Sequence, residues 1–284
     1  MKIGARQKFY KMHSLGNDFM VLDGITHEIV PDPARIKAWG CRHTGIGFDQ
    51  LLVIAPPNEP EADFSYLIFN ADGSEAEQCG NGTRCVAALS RLIGLTKKEH
   101  LVWQSLAGEF ETIIEGDRIS TTMTVPEFDP PSIPFDPRHA QPKTEHTYTV
   151  EAANQCFEIT PVSMGNPHAV IFVDELLNLD VETLGSALTD HAAFPERSNI
   201  EFCQVIDHQF VRLRVFERGV GETQACGTGA CAAVAAARLS DRVRDRVKVS
   251  LPGGKLHIQW PGAGAPILMT GPANLIYEGE IVIR

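Results

Sequence analysis

Gln78-Cys79-Gly80-Asn81-Gly82-Thr83-Arg84-Cys85-Val86-Ala87-Ala88-Leu89-Ser90-Arg91-Leu92-Ile93-Gly94 places a thiol just before a glycine turn, and the turn opens a helix that stops at a glycine. The helical signal runs over Val86–Ile93. A second such stretch is Ala225-Cys226-Gly227-Thr228-Gly229, followed by Ala230 to Leu239, which is nearly all alanine. Helices with almost no polar face have to be buried, so each is expected at the centre of a sheet.

The duplication extends well beyond these two stretches, which matters because an overlooked repeat would misread the whole architecture. Ser14-Leu15-Gly16-Asn17 recurs as Ser163-Met164-Gly165-Asn166, and Phe69-Asn70 ahead of Cys79 recurs as Phe216-Glu217 ahead of Cys226. Between them, Asp49-Gln50-Leu51-Leu52-Val53-Ile54 aligns with Ser198-Asn199-Ile200-Glu201-Phe202-Cys203, and further on Ser105-Leu106-Ala107-Gly108 aligns with Ser250-Leu251-Pro252-Gly253. Short β-branched or aromatic runs bounded by Gly, Pro, Asp and Asn read as strands: Leu51–Ile54, Phe64–Phe69, Ile119–Val125, Ala169–Val173 and Phe210–Phe216. Pro126, Pro130, Pro131, Pro134, Pro137 and Pro142 lie in a stretch without helical or strand periodicity, the signature of a linker. The expected fold is α+β in two pseudo-symmetric halves, each a curved, mostly antiparallel sheet wrapped on a central buried helix, with a ligand cleft between them. The first half is residues 1–126 with Cys79, and the second is 127–271 with Cys226.

The formal net charge of -11 and the absence of a long basic run argue against a nucleic-acid surface and leave a small molecule as the expected partner. Met1 to Lys8 lacks an apolar core behind its positive charges, and no apolar run reaches membrane-spanning length. A cytoplasmic protein without a membrane partner is expected. Seven cysteines in a chain of 284 residues do not suggest a disulfide framework, so the default is thiols.

Cys79 and Cys226 hold equivalent positions at helix starts, where unpaired N–H groups and the positive end of the dipole favour a thiolate. If the halves face one another across a pseudo-two-fold axis, a carbon held between them has one sulfur on each face. That geometry suits a racemase or epimerase in which one thiolate removes the α-proton and the opposite thiol returns a proton to the other face. The N–H groups of Gly80-Asn81 and Gly227-Thr228 are placed to stabilise charge developing on the substrate carboxylate without a cofactor. Like charges a few ångströms apart repel, so the pair is read as one thiolate and one thiol, tuned by His168 and Glu217. Cys85 and Cys231 also match each other and are assigned to the core. Cys41, Cys156 and Cys203 have no partner in the repeat, and His13 is assigned a structural place. The Cys79/Cys85 and Cys226/Cys231 spacings do not suit structural zinc, and the Gly-x-Gly turns lack the third glycine of a dinucleotide fingerprint and the lysine of a P-loop. No metal and no cofactor are expected.

Met12-His13-Ser14-Leu15-Gly16-Asn17-Asp18-Phe19, Phe69-Asn70-Ala71-Asp72-Gly73-Ser74, Glu77-Gln78-Cys79-Gly80-Asn81-Gly82-Thr83-Arg84-Cys85, Met164-Gly165-Asn166-Pro167-His168, Glu217-Arg218-Gly219 and Ala225-Cys226-Gly227-Thr228-Gly229 together resemble the motif set of the diaminopimelate epimerase family. The resemblance runs from near the N-terminus to the last strand. It implies that Cys79 and Cys226 are the acid/base pair, and that substrate is contacted by Asn17, Gln50, Asn70, Gly80 and Asn81 of the first half. From the second half it implies contacts by Asn166, Asn199, Glu217, Arg218, Gly227 and Thr228, with Arg218 taking a carboxylate and Glu217 an ammonium. It further implies that the segment 272–284 returns to the first domain, and that the protein is a homodimer with Tyr277 near the interface. The implied reaction interconverts LL- and meso-2,6-diaminopimelate, for lysine and peptidoglycan precursors, without pyridoxal phosphate. Two alternatives stand beside it: a proline or hydroxyproline racemase of similar fold, and a thiol redox protein in which the two cysteines form a disulfide.

Overall fold

The computed structural model describes residues 5–76 and 79–283, so Glu77 and Gln78 of the first cysteine motif lie outside the described residues. The chain divides into two compact units, Met1–Thr121 with Thr270–Arg284, and Thr122–Met269.

The first unit runs β1 (Arg6–Ser14), β2 (Asn17–Asp23), α1 (Pro33–Gly40), β3 (Gln50–Ala55), β4 (Phe64–Asn70), α2 (Gly80–Leu92), β5 (His100–Ser105), β6 (Gly108–Glu115) and β7 (Arg118–Thr122). Strands β1 and β2 join through a tight turn in which Leu15 and Gly16 both take positive φ, 55° and 89°. That mirror-image turn matches the twist of the strands it connects. Parallel pairing then links β2 to β3 across α1, and β4 to β5 across α2, while the remaining neighbours pair antiparallel.

The second unit runs β8 (Gln141–Pro142), β9 (Tyr148–Ala152), β10 (Gln155–Ser163), β11 (Pro167–Phe172), α3 (Val181–Thr189), β12 (Asn199–Asp207), β13 (Phe210–Glu217), β14 (Gly221–Thr223), α4 (Gly227–Leu239), β15 (Arg246–Leu251) and β16 (Gly254–Gln259). Strands β10, β11, β12, β13, β15 and β16 repeat the pairing signs of β1 to β6, again with parallel contacts across the two helices. The register repeats as well: Phe19 stands beside Gln50, and His168 beside Asn199. A short strand, β17 (Leu268–Gly271), straddles the boundary, and β18 (Asn274–Val282) pairs antiparallel along β1. The C-terminal segment is also tied into the first unit where Ser14 Oγ donates to Pro272 O at 2.7 Å.

Strand alternation builds two cores on each sheet, because successive side chains point to opposite faces. In the first unit Phe19, Val21, Leu52 and Ile54 face α2, whereas Met20, Leu22, Leu51 and Val53 pack with Ile36 and Trp39 of α1. In the second, Ala169, Ile171, Ile200 and Phe202 pack with Leu184 and Leu188 of α3. The opposite face meets α4, whose Ala230 to Ala237 are all at most 1% exposed. Alanine at these positions lets the strands approach the helix closely while keeping the highest helix propensity.

Four expectations are corrected. Both central helices begin at the glycine directly after the cysteine, several residues earlier than their apolar runs, so the glycines form the first helical turn. Since the two helices start in strict register, Cys85 aligns with Ala232 and Cys231 with Arg84; the two inner cysteines are buried but not equivalent. The strand expected over Ile119–Val125 ends at Thr122. The proline-rich stretch is no loose linker: it forms two 3-10 turns, and Ile133 and Phe135 sit in the second core against Tyr148 and Phe194.

Candidate active site

Each helix start is capped by its cysteine. Cys79 (φ -146°, ψ 104°) and Cys226 (φ -119°, ψ 117°) are extended, and their sulfurs accept from Gly82 N and Gly229 N, both at 3.4 Å. A thiol thus does what a serine or aspartate oxygen usually does for the orphan N–H groups of a helix. Gly82 and Gly229 are required by close approach. A methyl group at Gly82 would lie 2.2 Å from Tyr66 Oη, and one at Gly229 would lie 2.7 Å from Glu201 Oε1.

Around Cys79, Asn17 commits its Nδ2 to Asp49 Oδ2 at 2.9 Å and turns Oδ1 toward Cys79 Sγ (3.6 Å) and Asn81 Nδ2 (3.5 Å). Asp49 and its neighbour Asp18 are both held by Arg42, and Lys11 Nζ reaches Asp18 at 2.5 Å, so Asn17 stands on a charged frame. Arg84 is fully buried in the first turns of α2 and donates to Gly80 O (3.0 Å), Asn81 Oδ1 (2.6 Å) and Ser14 Oγ (2.8 Å). Gln50 Nε2 donates to Asn70 Oδ1 at 3.1 Å, and Asn70 passes the chain to Ser74 Oγ at 3.1 Å. Gln50 Oε1 is buried without a partner. Beneath the helix start Tyr66 Oη donates to Cys79 O at 3.4 Å, and burial pushes its phenol well above the ordinary range.

Around Cys226 the neighbouring groups are acids. Burial first, then the Glu217 carboxylate, push the Cys226 thiol well above its ordinary range, so it rests as a thiol at neutral pH. The helix-start bias toward thiolate is outweighed here. Sγ lies 3.4 Å from Thr228 Oγ1, and Glu217 Oε1 accepts from Thr223 Oγ1 at 2.5 Å. Asn199 Oδ1 accepts from Arg218 N at 2.8 Å, and the exposed Arg218 side chain donates to Glu196 O at 2.9 Å. His168 lies between Glu201 and Asn166, with Nδ1 2.6 Å from Glu201 Oε1 and Nε2 2.9 Å from Asn166 Oδ1.

The structure therefore gathers Cys79, Asn17, Gly80 and Asn81 at one helix start, with Gln50 and Asn70 bonded to each other on the adjoining strands. It gathers Cys226, Gly227 and Thr228 at the other helix start, with Glu217 close enough to act on the thiol, while His168 is bonded to Glu201 and Asn166. Tyr277 lies on β18, about half exposed, edge-on to Phe9 at 6.0 Å. Sequence reasoning missed Glu201, Arg84, Tyr66 and Asp49. The signal for Glu201 was present: an acid interrupts the apolar run Ile200-Glu201-Phe202-Cys203 where the first half has Leu52.

Among the described residues, no three His, Cys, Asp or Glu side chains are grouped to hold a metal ion. No described helix is long and apolar enough to cross a membrane. A cavity of about 860 Å³ in the second unit is lined by Ala236, Leu239 and Ser240 at the far end of α4, roughly 20 Å from Cys226 at 1.5 Å per helical residue. It contains none of the candidate residues.

The same fold is found in solved structures of low identity. A hydroxyproline epimerase from Agrobacterium vitis with bound trans-4-hydroxy-L-proline aligns with a TM-score of 0.70 at 14% identity, covering 98% of this chain and 93% of that one. A PhzF-family phenazine biosynthesis protein from Bacillus anthracis aligns at 0.68 and 16%, covering 98% and 100%. A methylitaconate-delta-isomerase aligns at 0.64 and 14%, covering 99% and 96%. These likenesses define the fold: two halves, each a sheet about a central helix. Within it, the diaminopimelate epimerase family model matches residues 9–128 and 160–276. The chain belongs to the diaminopimelate epimerase family and is an isomerase.

Proposed function

We propose that the protein interconverts LL- and meso-2,6-diaminopimelate by proton transfer between Cys79 and Cys226, with no cofactor. The observation that carries this reading is the matched pair of cysteine caps, each sulfur on the third N–H of a buried helix, in a chain whose two halves both match the family. The reading requires both sulfurs to flank one α-carbon. Cys226, resting as a thiol between Glu201 and Glu217, is the proton donor of the resting pair, and Cys79 is the base. The N–H groups of Gly80-Asn81 and Gly227-Thr228 bind the reacting carboxylate and take up its growing negative charge, which accelerates the step only insofar as they bind the carbanion better than the substrate. Arg218 and Glu217 hold the distal carboxylate and ammonium, with Gln50, Asn70 and Asn199 completing the polar lining. A homodimer with Tyr277 at its interface, and a cytoplasmic location in lysine and peptidoglycan precursor synthesis, belong to the same proposal.

A proline or hydroxyproline racemase is the alternative of similar fold, and a thiol redox protein the alternative of another class. The adjacent Glu217 and Arg218 favour a substrate with a second charged end over a ring. The test is proton NMR of LL-diaminopimelate in D₂O with reduced protein, and with Cys79→Ala and Cys226→Ala. Loss of the α-proton signal with growth of the meso isomer, abolished in either variant, is the expected result. Exchange of proline alone would select the racemase, and full activity in protein oxidised across the two thiols would overturn the two-base mechanism.

A further inference from the structure

The two halves repeat their backbone but not the side chains beneath the cysteine helices. On the face of the first sheet that meets α2, the neighbouring strands carry Phe19 and Leu52, two members of a dry core. The same positions against α4 carry His168 and Glu201, both 0% exposed. A polar pair in place of an apolar one, under the start of a helix, is costly to bury and calls for a function.

The hydrogen bonds fix what the pair holds. Glu201 Oε1 is 2.6 Å from His168 Nδ1, and its Oε2 is buried without a partner. An ionised carboxylate with one bare buried oxygen is far costlier than a carboxylic acid whose bare oxygen is a carbonyl. Burial raises the Glu201 carboxyl against the opposing pull of His168 and of the Ala169 N–H, and Glu217 raises it further. With the proton on Oε1, Glu201 donates to Nδ1, so the imidazole carries its hydrogen on Nε2 and donates to Asn166 Oδ1, 2.9 Å away. Asn166 is then locked with Oδ1 inward, and the half-buried amide presents its Nδ2 donor outward. Asn17, its counterpart in the repeat, is locked in the reverse sense, with Nδ2 on Asp49 and Oδ1 toward Cys79.

We propose that Glu201 is a positioning residue which, as a carboxylic acid, sets the His168 tautomer and so turns the Asn166 amide to offer an N–H donor to a substrate carboxylate, while Asn17 offers an acceptor to an N–H group. The substrate's polarity is thereby read by two equivalent asparagines held in opposite orientations. This rests on the amino-acid epimerase reading above. Cys226, Cys203, Glu217 and His168 itself are the titratable groups around Glu201, and none of the others is bonded to His168 Nδ1.

Nitrogen-15 NMR of the histidine-labelled protein near neutral pH tests the tautomer without any activity. His168, assigned by its loss in His168→Phe, is expected to show a protonated Nε2 and a bare Nδ1. Glu201→Gln retains an N–H donor toward Nδ1, so its spectrum and its KM for diaminopimelate should stay within about threefold of wild type. Glu201→Met removes the donor at similar volume; the tautomer signature should be lost and KM should rise roughly tenfold to a hundredfold with kcat much less changed, as for one lost hydrogen bond to a charged group. An imidazolium or an Nδ1–H tautomer in the wild type overturns the proposal, as does a Gln variant as impaired as Met. If the wild type leaves the α-proton of diaminopimelate untouched, the functional reading fails while the NMR result still decides the tautomer.

Discussion

Replacing Gly82 by alanine tests whether α2 is held as closely on its sheet as the structure implies. The new methyl would lie 2.2 Å from Tyr66 Oη and 3.2 Å from Leu52 Cδ1, and neither neighbour can swing away. Tyr66 is 1% exposed and set edge-on to Phe110 at 5.7 Å; Leu52 is wholly buried. Overpacking of this kind costs about 1–3 kcal/mol, and the short contact argues for the upper end. Alanine returns up to about 1 kcal/mol in helix propensity, leaving a net loss of about 2 kcal/mol. Tyr66→Phe alone forfeits only a long hydrogen bond at 3.4 Å, worth at most about 1 kcal/mol. Since the clash is with that hydroxyl, the double variant Gly82→Ala/Tyr66→Phe should recover to within about 1 kcal/mol of wild type, a coupling of opposite sign to both single losses. Urea unfolding followed by the fluorescence of Trp103, which stacks on Phe110 in the same core, is the assay. A loss of about 2 kcal/mol moves the midpoint by roughly 1 M at a slope of about 2 kcal/mol/M. Simple additivity in the double variant would refute the placement of Tyr66 under the helix start.

Glu217→Gln removes one of the charges that push the Cys226 thiol up, so alkylation of Cys226 by iodoacetamide, followed by mass spectrometry, should reach its thiolate plateau at lower pH than in wild type; an unchanged profile would mean that Glu217 does not act on the sulfur. Asp18, despite a burial that alone would raise it, is held well below the usual carboxylate range by Arg42 and Lys11. A depressed folded-state value contributes stability that is complete above the unfolded carboxylate range and is lost as pH falls through it toward the folded value, so Asp18→Asn should lose about 1–3 kcal/mol at neutral pH and flatten the acid limb of the stability curve. Tyr277→Asp, on the half-exposed face of β18, should convert a sedimenting dimer to monomer at micromolar concentration; a monomeric wild type would refute the interface instead.

Features written in local chemistry were legible in the sequence. Cys79 and Cys226 stand out because a thiol before Gly-x-Gly and an apolar run marks a helix start whatever the tertiary context, and a repeated helix start marks a repeated fold. The strands β3, β4 and β13 announced themselves by β-branched and aromatic runs. What was not legible depends on which face of a strand lies under which helix. Glu201 reads in isolation as an interruption of an apolar run, and only the register that sets it beside Val170, two residues from His168, gives the acid its partner. Arg84 falls in the first turns of a helix, just before its apolar run, and its role emerges only when Ser14, Gly80 and Asn81 close around its guanidinium. The prolines of 126–142 misled because they break periodicity equally well in a mobile tether and in a packed 3-10 turn; burial of Ile133 and Phe135 decides between them.

The duplication preserves backbone and caps while dividing the electrostatics, a division suited to the two-thiol mechanism proposed above. Two identical half-sites would give two thiols of equal affinity for the proton, with no preference for which of them carries it. Here a buried arginine stands in the first turns of α2, and two carboxyl groups stand beside the start of α4. Burial and the acids beside it disfavour deprotonation at Cys226, and a change in charge beside that sulfur would lessen the bias. An ammonium bound to Glu217 is such a change. Binding of a substrate with a second amino group would weaken the grip on the Cys226 proton at the moment that proton must be delivered, linking recognition of the distal charge to the proton transfer itself.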